Sequence, residues 1–199
     1  ALSGGKRLRP FLVFESGRLF DVDERSLLRV AAAIEAIHCY SLVHDDLPCM
    51  DDDDLRRGQP TVHKAYNEAT AVLVGDALQS LAFEILSDVQ THIDPNIRIQ
   101  LVANLAQVAG ARGMVGGQMR DMEAETFADN IAAVTRMQRL KTGGLFHFAA
   151  AAGAILGHAS NEAKHALNNF SHDFGLAFQI TDDILDIEAF KQWQPQFNN

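Results

Sequence analysis

Carboxylates are gathered into two groups whose spacing suits metal chemistry. The segment His44-Asp-Asp-Leu-Pro-Cys-Met-Asp-Asp-Asp-Asp54 carries six aspartates within ten residues. Acidic runs are as a rule solvated loops, because like charges repel. This one directly follows an apolar stretch, and Pro48 biases Leu47 away from the α region, so a helix must bend or end there. On an unbroken helix Asp45 and Asp51 would point about 240° apart at 3.6 residues per turn. The break lets the chain fold Asp51 back towards Asp45. Carboxylate oxygens paired in this way favour a hard cation, Mg2+ above all when phosphate oxygens complete the octahedron. The second group, Gln179-Ile-Thr-Asp-Asp-Ile-Leu-Asp186, has acids at i, i+1 and i+4. Asp182 and Asp186 there stack one turn apart with Asp183 beside them, among mostly apolar neighbours.

The cations cluster as well. Lys6 and Arg9 are three apart, a spacing that puts them on one face of a starting helix with Arg7 turned away. Arg56 and Arg57 follow the acidic run, and Lys141-Thr142-Gly143-Gly144 offers an ammonium, a hydroxyl and permissive backbone. Arg and Lys beside Gly commonly hold phosphate. Acidic metal sites and phosphate-sized basic sites on an apolar frame imply a substrate with a diphosphate head and a long apolar tail. No Ser-His-Asp or Cys-His pair has meaningful spacing. Gly113-Met-Val-Gly-Gly117 lacks the Lys-Ser/Thr of a P-loop.

The elements that must position these groups read as helices. Ala and Leu dominate, and only five prolines interrupt the 199 residues. Apolar residues recur at three and four over Ser26–Val43, Ala69–Val89, Ile97–Val115, Phe127–Leu156 and Phe170–Ile187, and no comparable segment alternates with period two. Asp23 and Asp94-Pro95 mark helix starts. The fold expected is all-α, one bundle domain over residues 1–199.

A net charge of −9 argues against a nucleic-acid or anionic-membrane surface, since both attract basic patches. With 47% hydrophobic residues the composition is globular. The longest nearly apolar run, Leu145–Leu156, falls short of the roughly 20 residues a span needs, so no membrane insertion is expected. Cys39 and Cys49 match no metal spacing and suit a reducing compartment, with a cytoplasmic location as the expectation. The chain starts at Ala1 without Met, leaving room for a trimmed leader.

Six motifs now identify a resemblance: Gly4-Gly-Lys-Arg-Leu-Arg-Pro10, the 44–58 run ending Asp-Leu-Arg-Arg-Gly58, Gly75-Asp-Ala-Leu78, Gly116-Gly-Gln-Met-Arg-Asp121, Lys141-Thr-Gly-Gly-Leu-Phe146 and Phe178-Gln-Ile-Thr-Asp-Asp-Ile-Leu-Asp186. In this order they resemble the trans-isoprenyl diphosphate synthases, or polyprenyl synthetases, and most closely the bacterial farnesyl diphosphate synthases. The resemblance implies an all-α isoprenoid synthase bundle around a central cavity and a homodimer. It implies three Mg2+ ions, with Asp45, Asp51 and Asp182 as direct ligands and Asp46, Asp183 and Asp186 in support. Arg56, Lys141, Thr142 and Gln179 match positions that contact an allylic diphosphate, dimethylallyl or geranyl. Lys6, Arg9, His38 and Arg57 match the isopentenyl diphosphate pocket. The implied reaction is ionisation, condensation and elimination, with electrostatic help to the departing diphosphate and no side-chain base.

By the same resemblance Tyr40, five before the first Asp, helps close the cavity floor, and the two extra residues in Asp-Asp-Leu-Pro-Cys-Met-Asp point to a farnesyl product. Geranyl and geranylgeranyl products are the alternatives, as is an ordinary core role for Tyr40. Gln118 and Asp121 are as readily helix-packing residues as substrate contacts. The family pattern continues past Asp186 with a lysine-bearing loop and has helices before Gly4; neither is matched, so the chain is expected to be incomplete at its N-terminus and after residue 188. A class I terpene cyclase is disfavoured by Asp-Asp-Ile-Leu-Asp and by the second diphosphate site, and a non-catalytic partner subunit by the intact motifs.

Overall fold

Three long helices start where a side chain answers the first free N–H groups. Asp23 accepts from Ser26 N at 2.9 Å and from its hydroxyl at 2.6 Å, launching α2 (Glu24–Asp45) after α1 (Leu8–Arg18). Asn67 caps α4 (Glu68–Ser87), which follows the single turn α3 (Val62–Ala65). Asp94 caps α5 (Pro95–Ala109), and Pro95 occupies the first position, where no donor is needed. Then come α6 (Met114–Met122), α7 (Ile131–Gln138), a π-helical turn at Arg139–Gly143, α8 (Gly144–Leu156) and the 33-residue α9 (Asn161–Trp193). The computed structural model describes residues 1–193 except Ser3 and residues 124–130; the side chains of Ile131, Asp182, Asp183 and residues 186–193 also lie outside the description.

The all-α expectation holds, with one exception the periodicity could not show. Leu55–Arg56 (β1) and Gln59–Pro60 (β2) pair antiparallel, Arg56 opposite Gln59. Between them Arg57 (φ 54°) and Gly58 (φ 75°) are both left-handed, the signature of a two-residue type I′ hairpin. Two strands of two residues leave no alternation to read. The segments expected as Ile97–Val115 and Phe127–Leu156 are each divided, the first at Gly110 and the second by the π turn.

Helix α8 is apolar on all sides and accordingly lies inside, against α1, α2, α5 and α9. Its Phe146 and Phe148 are fully buried. Phe146 stands 5.3 Å from Phe174 and 5.0 Å from Phe178 of α9, and the Arg9 guanidinium of α1 sits 4.6 Å over its ring. Val30, Ala33, Ile34 and Ile37 of α2 complete the same core.

Helix α4 behaves differently. It packs on α2 through Ala71, Gly75, Leu78, Ala82 and Leu86, one stripe at helical spacing. Its other side leaves Val72, Leu73 and Leu81 exposed. Both α2 and α4 are long and apolar enough by composition to cross a bilayer, which a search for unbroken apolar runs misses because each carries isolated polar residues. Most of α2 is buried inside the bundle, whereas most of α4 is not.

Phe146→Ala removes a ring shared by three helices. It is expected to destabilise the fold by about 3–5 kcal/mol, read as a lowered urea midpoint.

Candidate active site

The acidic run is organised by the way α2 stops. Asp46 N still donates to Leu42 O, but Leu47 N turns to His44 O, Met50 N reaches Leu47 O at 2.9 Å, and Asp51 N returns to Asp45 O at 2.8 Å. The chain therefore doubles back around Pro48 and sets Asp51 beside Asp45, as the break predicts. Burial pushes the Asp45 carboxyl up to about 6; Lys141 and Arg56 oppose this, while Asp51 and Asp46 add to it.

Asp46 turns elsewhere. It is only 3% exposed, and its Oδ1 accepts from Arg56 Nε at 2.8 Å and Nη2 at 2.6 Å. Arg56 Nη2 also donates to Asp53 Oδ2 at 2.7 Å, and Lys64 pairs with Asp54 at 2.8 Å. Among the described residues Asp45 and Asp51 form no ion pair, and no three His, Cys, Asp or Glu converge tightly enough to form a metal site by themselves. The helix carrying Asp182, Asp183 and Asp186 is in place, but their side chains lie outside the described residues.

Opposite Asp45 stands Lys141, on the π turn. Such turns insert a residue into the helical register and recur at functional sites. Here Lys141 and Thr142 both line a cavity with Asp45. Two contacts hold the turn. Asp121 of α6 forms an ion pair with Lys141 Nζ, and Gly117 lies so close to the Lys141 backbone that a Cβ there would collide with it. Sequence left Asp121 between packing and substrate contact; in the structure it positions Lys141.

Two cavities meet at this point. One, of about 610 Å3, is ringed by Lys6, Arg7, Arg9, Arg56 and Arg57, with Glu35 the one acid among the described residues that line it. Lys6 and Arg9 do meet there, but not through a shared helical face, because α1 begins only at Leu8. Arg7 is not turned away: it is left-handed (φ 52°) and pairs with Glu35. Arg57 donates to Gly4 O at 2.9 Å and approaches His38 Nε2 at 3.4 Å. Gly5 (φ 92°) lies flat against that guanidinium, where a Cβ would sit 2.6 Å from it. An arginine cannot accept, so His38 Nε2 must, which makes the ring neutral. Burial, then Arg9, Arg57, Arg7 and Arg56, push His38 down to about 3.

The other cavity, of about 550 Å3, is mostly apolar, with Tyr40, Leu47, Met50, Val72, Met114, Val115 and Leu145 in its wall and the charged Asp45 and Lys141 beside them. Arg9, His38, Leu42 and Thr142 belong to both cavities. Tyr40 is 5% exposed, edge-on to His44 at 5.7 Å. Gln179 lines neither; it borders a smaller space behind the π turn, with Arg139, Gly143 and His147. Four of the five methionines line the apolar cavity; Met114, Met119 and Met122 share α6 and are clustered already in sequence, whereas Met50 joins them from the acidic run only in the assembled structure.

The depressed His38 pKa sets a sign for stability. The unfolded chain takes up a proton below about 6.5, the folded site only near 3, so stability falls as pH drops through that window, by at most about 1.4 kcal/mol per pH unit. Asp45, protonated more readily in the fold, opposes this below about 6. The urea midpoint should therefore fall less between pH 7 and pH 5 for His38→Gln than for the parent, and an equal fall would exclude a neutral, half-buried His38.

The polyprenyl synthetase family model matches residues 1–193. Farnesyl diphosphate synthase of Escherichia coli (strain K12) is 50% identical over 189 residues, 94% of this chain and 63% of the relative. That of Geobacillus stearothermophilus is 46% identical over 191 residues, 96% and 64% respectively. This chain therefore spans less than two thirds of the length of these relatives. Among solved structures, an FPP/GFPP synthase from Zymomonas mobilis superposes with a TM-score of 0.91 at 55% identity, over 94% of this chain and 67% of that one. Motif order, helical architecture and the extent of these matches agree: the chain belongs to the polyprenyl synthetase family and carries the all-α isoprenoid synthase fold.

Proposed function

We propose that the protein is a short-chain prenyltransferase, joining isopentenyl diphosphate head-to-tail to dimethylallyl or geranyl diphosphate to give farnesyl diphosphate and free diphosphate. The observation that carries this reading is the pair of cavities sharing Arg9, His38, Leu42 and Thr142, one ringed by cations and the other apolar with the Asp45 carboxylate and Lys141 in its lining. Two diphosphate heads and one hydrocarbon tail are what such a pair can hold.

The residues fit Mg2+. Asp45 and Asp51 offer hard oxygen donors, and a carboxylate destabilised by burial and by like charges gains most from a cation. They would hold the metal on the α2 side, with Asp182 facing them in the family pattern and Asp46, Asp183 and Asp186 in support. Bound there, Mg2+ supplies stabilisation of negative charge on the allylic diphosphate. Lys141, steadied by Asp121, and Arg56, steadied by Asp46, would donate charge-assisted hydrogen bonds to its oxygens, joined by Thr142 and Gln179. Lys6, Arg9 and Arg57 would hold the isopentenyl diphosphate, with neutral His38 among them. The apolar wall keeps water from the allylic cation. The released diphosphate takes the proton lost on elimination, so no side-chain base is needed.

The test is product mass from the full-length protein with isopentenyl and geranyl diphosphates. Farnesyl diphosphate should form only with Mg2+, and Asp45→Asn should lower kcat more than about a hundredfold. No product with Mg2+ present would sink the enzyme reading and leave a partner subunit.

A homodimer is proposed on α4, an apolar helix that is mostly exposed. A second copy docked on Val72, Leu73 and Leu81 would remove that surface from water. Leu73→Lys is expected to shift the sedimentation coefficient from dimer to monomer. The two cysteines, both free, keep the cytoplasm as the proposed compartment.

A further inference from the structure

The apolar cavity has charged groups in only part of its lining, and the helices walling it carry apolar residues away from those groups. Asp45 and Lys141 mark the charged part of the lining, and Asp121 pairs with Lys141 there. At about 1.5 Å per residue, Tyr40 lies roughly 7.5 Å back along α2 from Asp45, and Met114 roughly 10.5 Å back along α6 from Asp121. Leu145 lies one turn beyond Lys141. These three are buried, exposed by 5%, 6% and 1%; the other buried apolar residue of the lining, Leu47, lies two residues from Asp45, within the charged part. Farther along α6, Met119 and Met122 also border the cavity but are about half exposed, so they form a side wall rather than a floor.

We infer that Met114 is a second determinant of product length, closing the cavity floor together with Tyr40. The inference rests on the prenyltransferase reading above. An allylic tail lengthens by one isoprenyl unit per condensation and stops where side chains leave no room. Tyr40 presents a rigid ring. Met114 presents a flexible thioether that can swing without moving its backbone. That backbone is anchored: Met114 opens α6 just after Gly113, whose N–H donates to Gly110 O at 2.9 Å and whose carbonyl accepts from Gly117 N at 2.8 Å. Shortening this side chain therefore deepens the cavity, and enlarging it makes the cavity shallower, while Asp45, Lys141 and the cation-ringed cavity stay as they are.

The experiment is product distribution by mass for the full-length enzyme with isopentenyl and dimethylallyl diphosphates. Met114→Ala should raise the ratio of the product one unit longer than the parent's by about tenfold or more, the usual effect of altering a small apolar group at a pocket wall. Met114→Phe should shift the ratio towards the product one unit shorter, and Met114→Leu should leave it unchanged. A core residue without contact to the tail would alter stability in these variants but not the ratio. Parental ratios from folded Ala and Phe variants, in an active enzyme, overturn the inference and leave the prenyltransferase reading standing. Should the Ala variant not fold, the Phe shift decides. Absence of product from the parent removes both readings together.

Discussion

Asp45 and Asp46 are carboxylates at the C-terminal end of a buried apolar helix, where desolvation and the negative pole of the helix dipole both oppose their charge. The surrounding structure is arranged around that cost. The hairpin after the acidic run exists to return Arg56 to Asp46, and it places Arg57 in a left-handed conformation that costs a non-glycine residue about 1–2 kcal/mol. The π turn sets Lys141 opposite Asp45. Lys141 and Arg56 offset the cost at Asp45 only in part, and among the described residues neither Asp45 nor Asp51 forms an ion pair.

The same groups tie the site to the core, so that position is decided by packing rather than by loops. Arg9 reaches the cation-ringed cavity while lying over Phe146, the ring where α1, α8 and α9 meet. Lys141 is held by an α6 glycine pressed against its backbone and by an α6 carboxylate on its ammonium. Charged groups and apolar wall are thus carried at different positions along the same helices: Asp45 and Tyr40 on α2, Asp121 and Met114 on α6. A side chain changed in the apolar wall need not disturb those charges.

Much of this was legible beforehand. Periodicity of three and four located the helices, because an amphipathic helix must turn one face to the core, and Asp23 and Asp94 marked starts to the residue. Pro48 announced the return of Asp51 through its effect on the residue before it. Less visible was the division of labour inside the acidic run, since Asp45 and Asp46 are adjacent and chemically identical in sequence. The hairpin was too short to alternate, and Arg-Gly is a weak turn signal beside Asn-Gly. Lys6 and Arg9 were matched by helical spacing, yet a loop and an arginine in left-handed conformation bring them together.

By itself, then, the sequence determined the local terms: which segments are helices, where they are capped and broken, which residues carry charge, and the ordered motifs that identify the family. Those depend on neighbours a few residues apart. Tertiary structure decided which aspartate faces the cavity and which is neutralised by Arg56, that Asp121 serves Lys141, that His38 is neutral, and that Met114 and Tyr40 line one cavity. Each of these is a contact between segments far apart in the chain. Its energy depends on burial and on distances across the bundle, which no local pattern encodes.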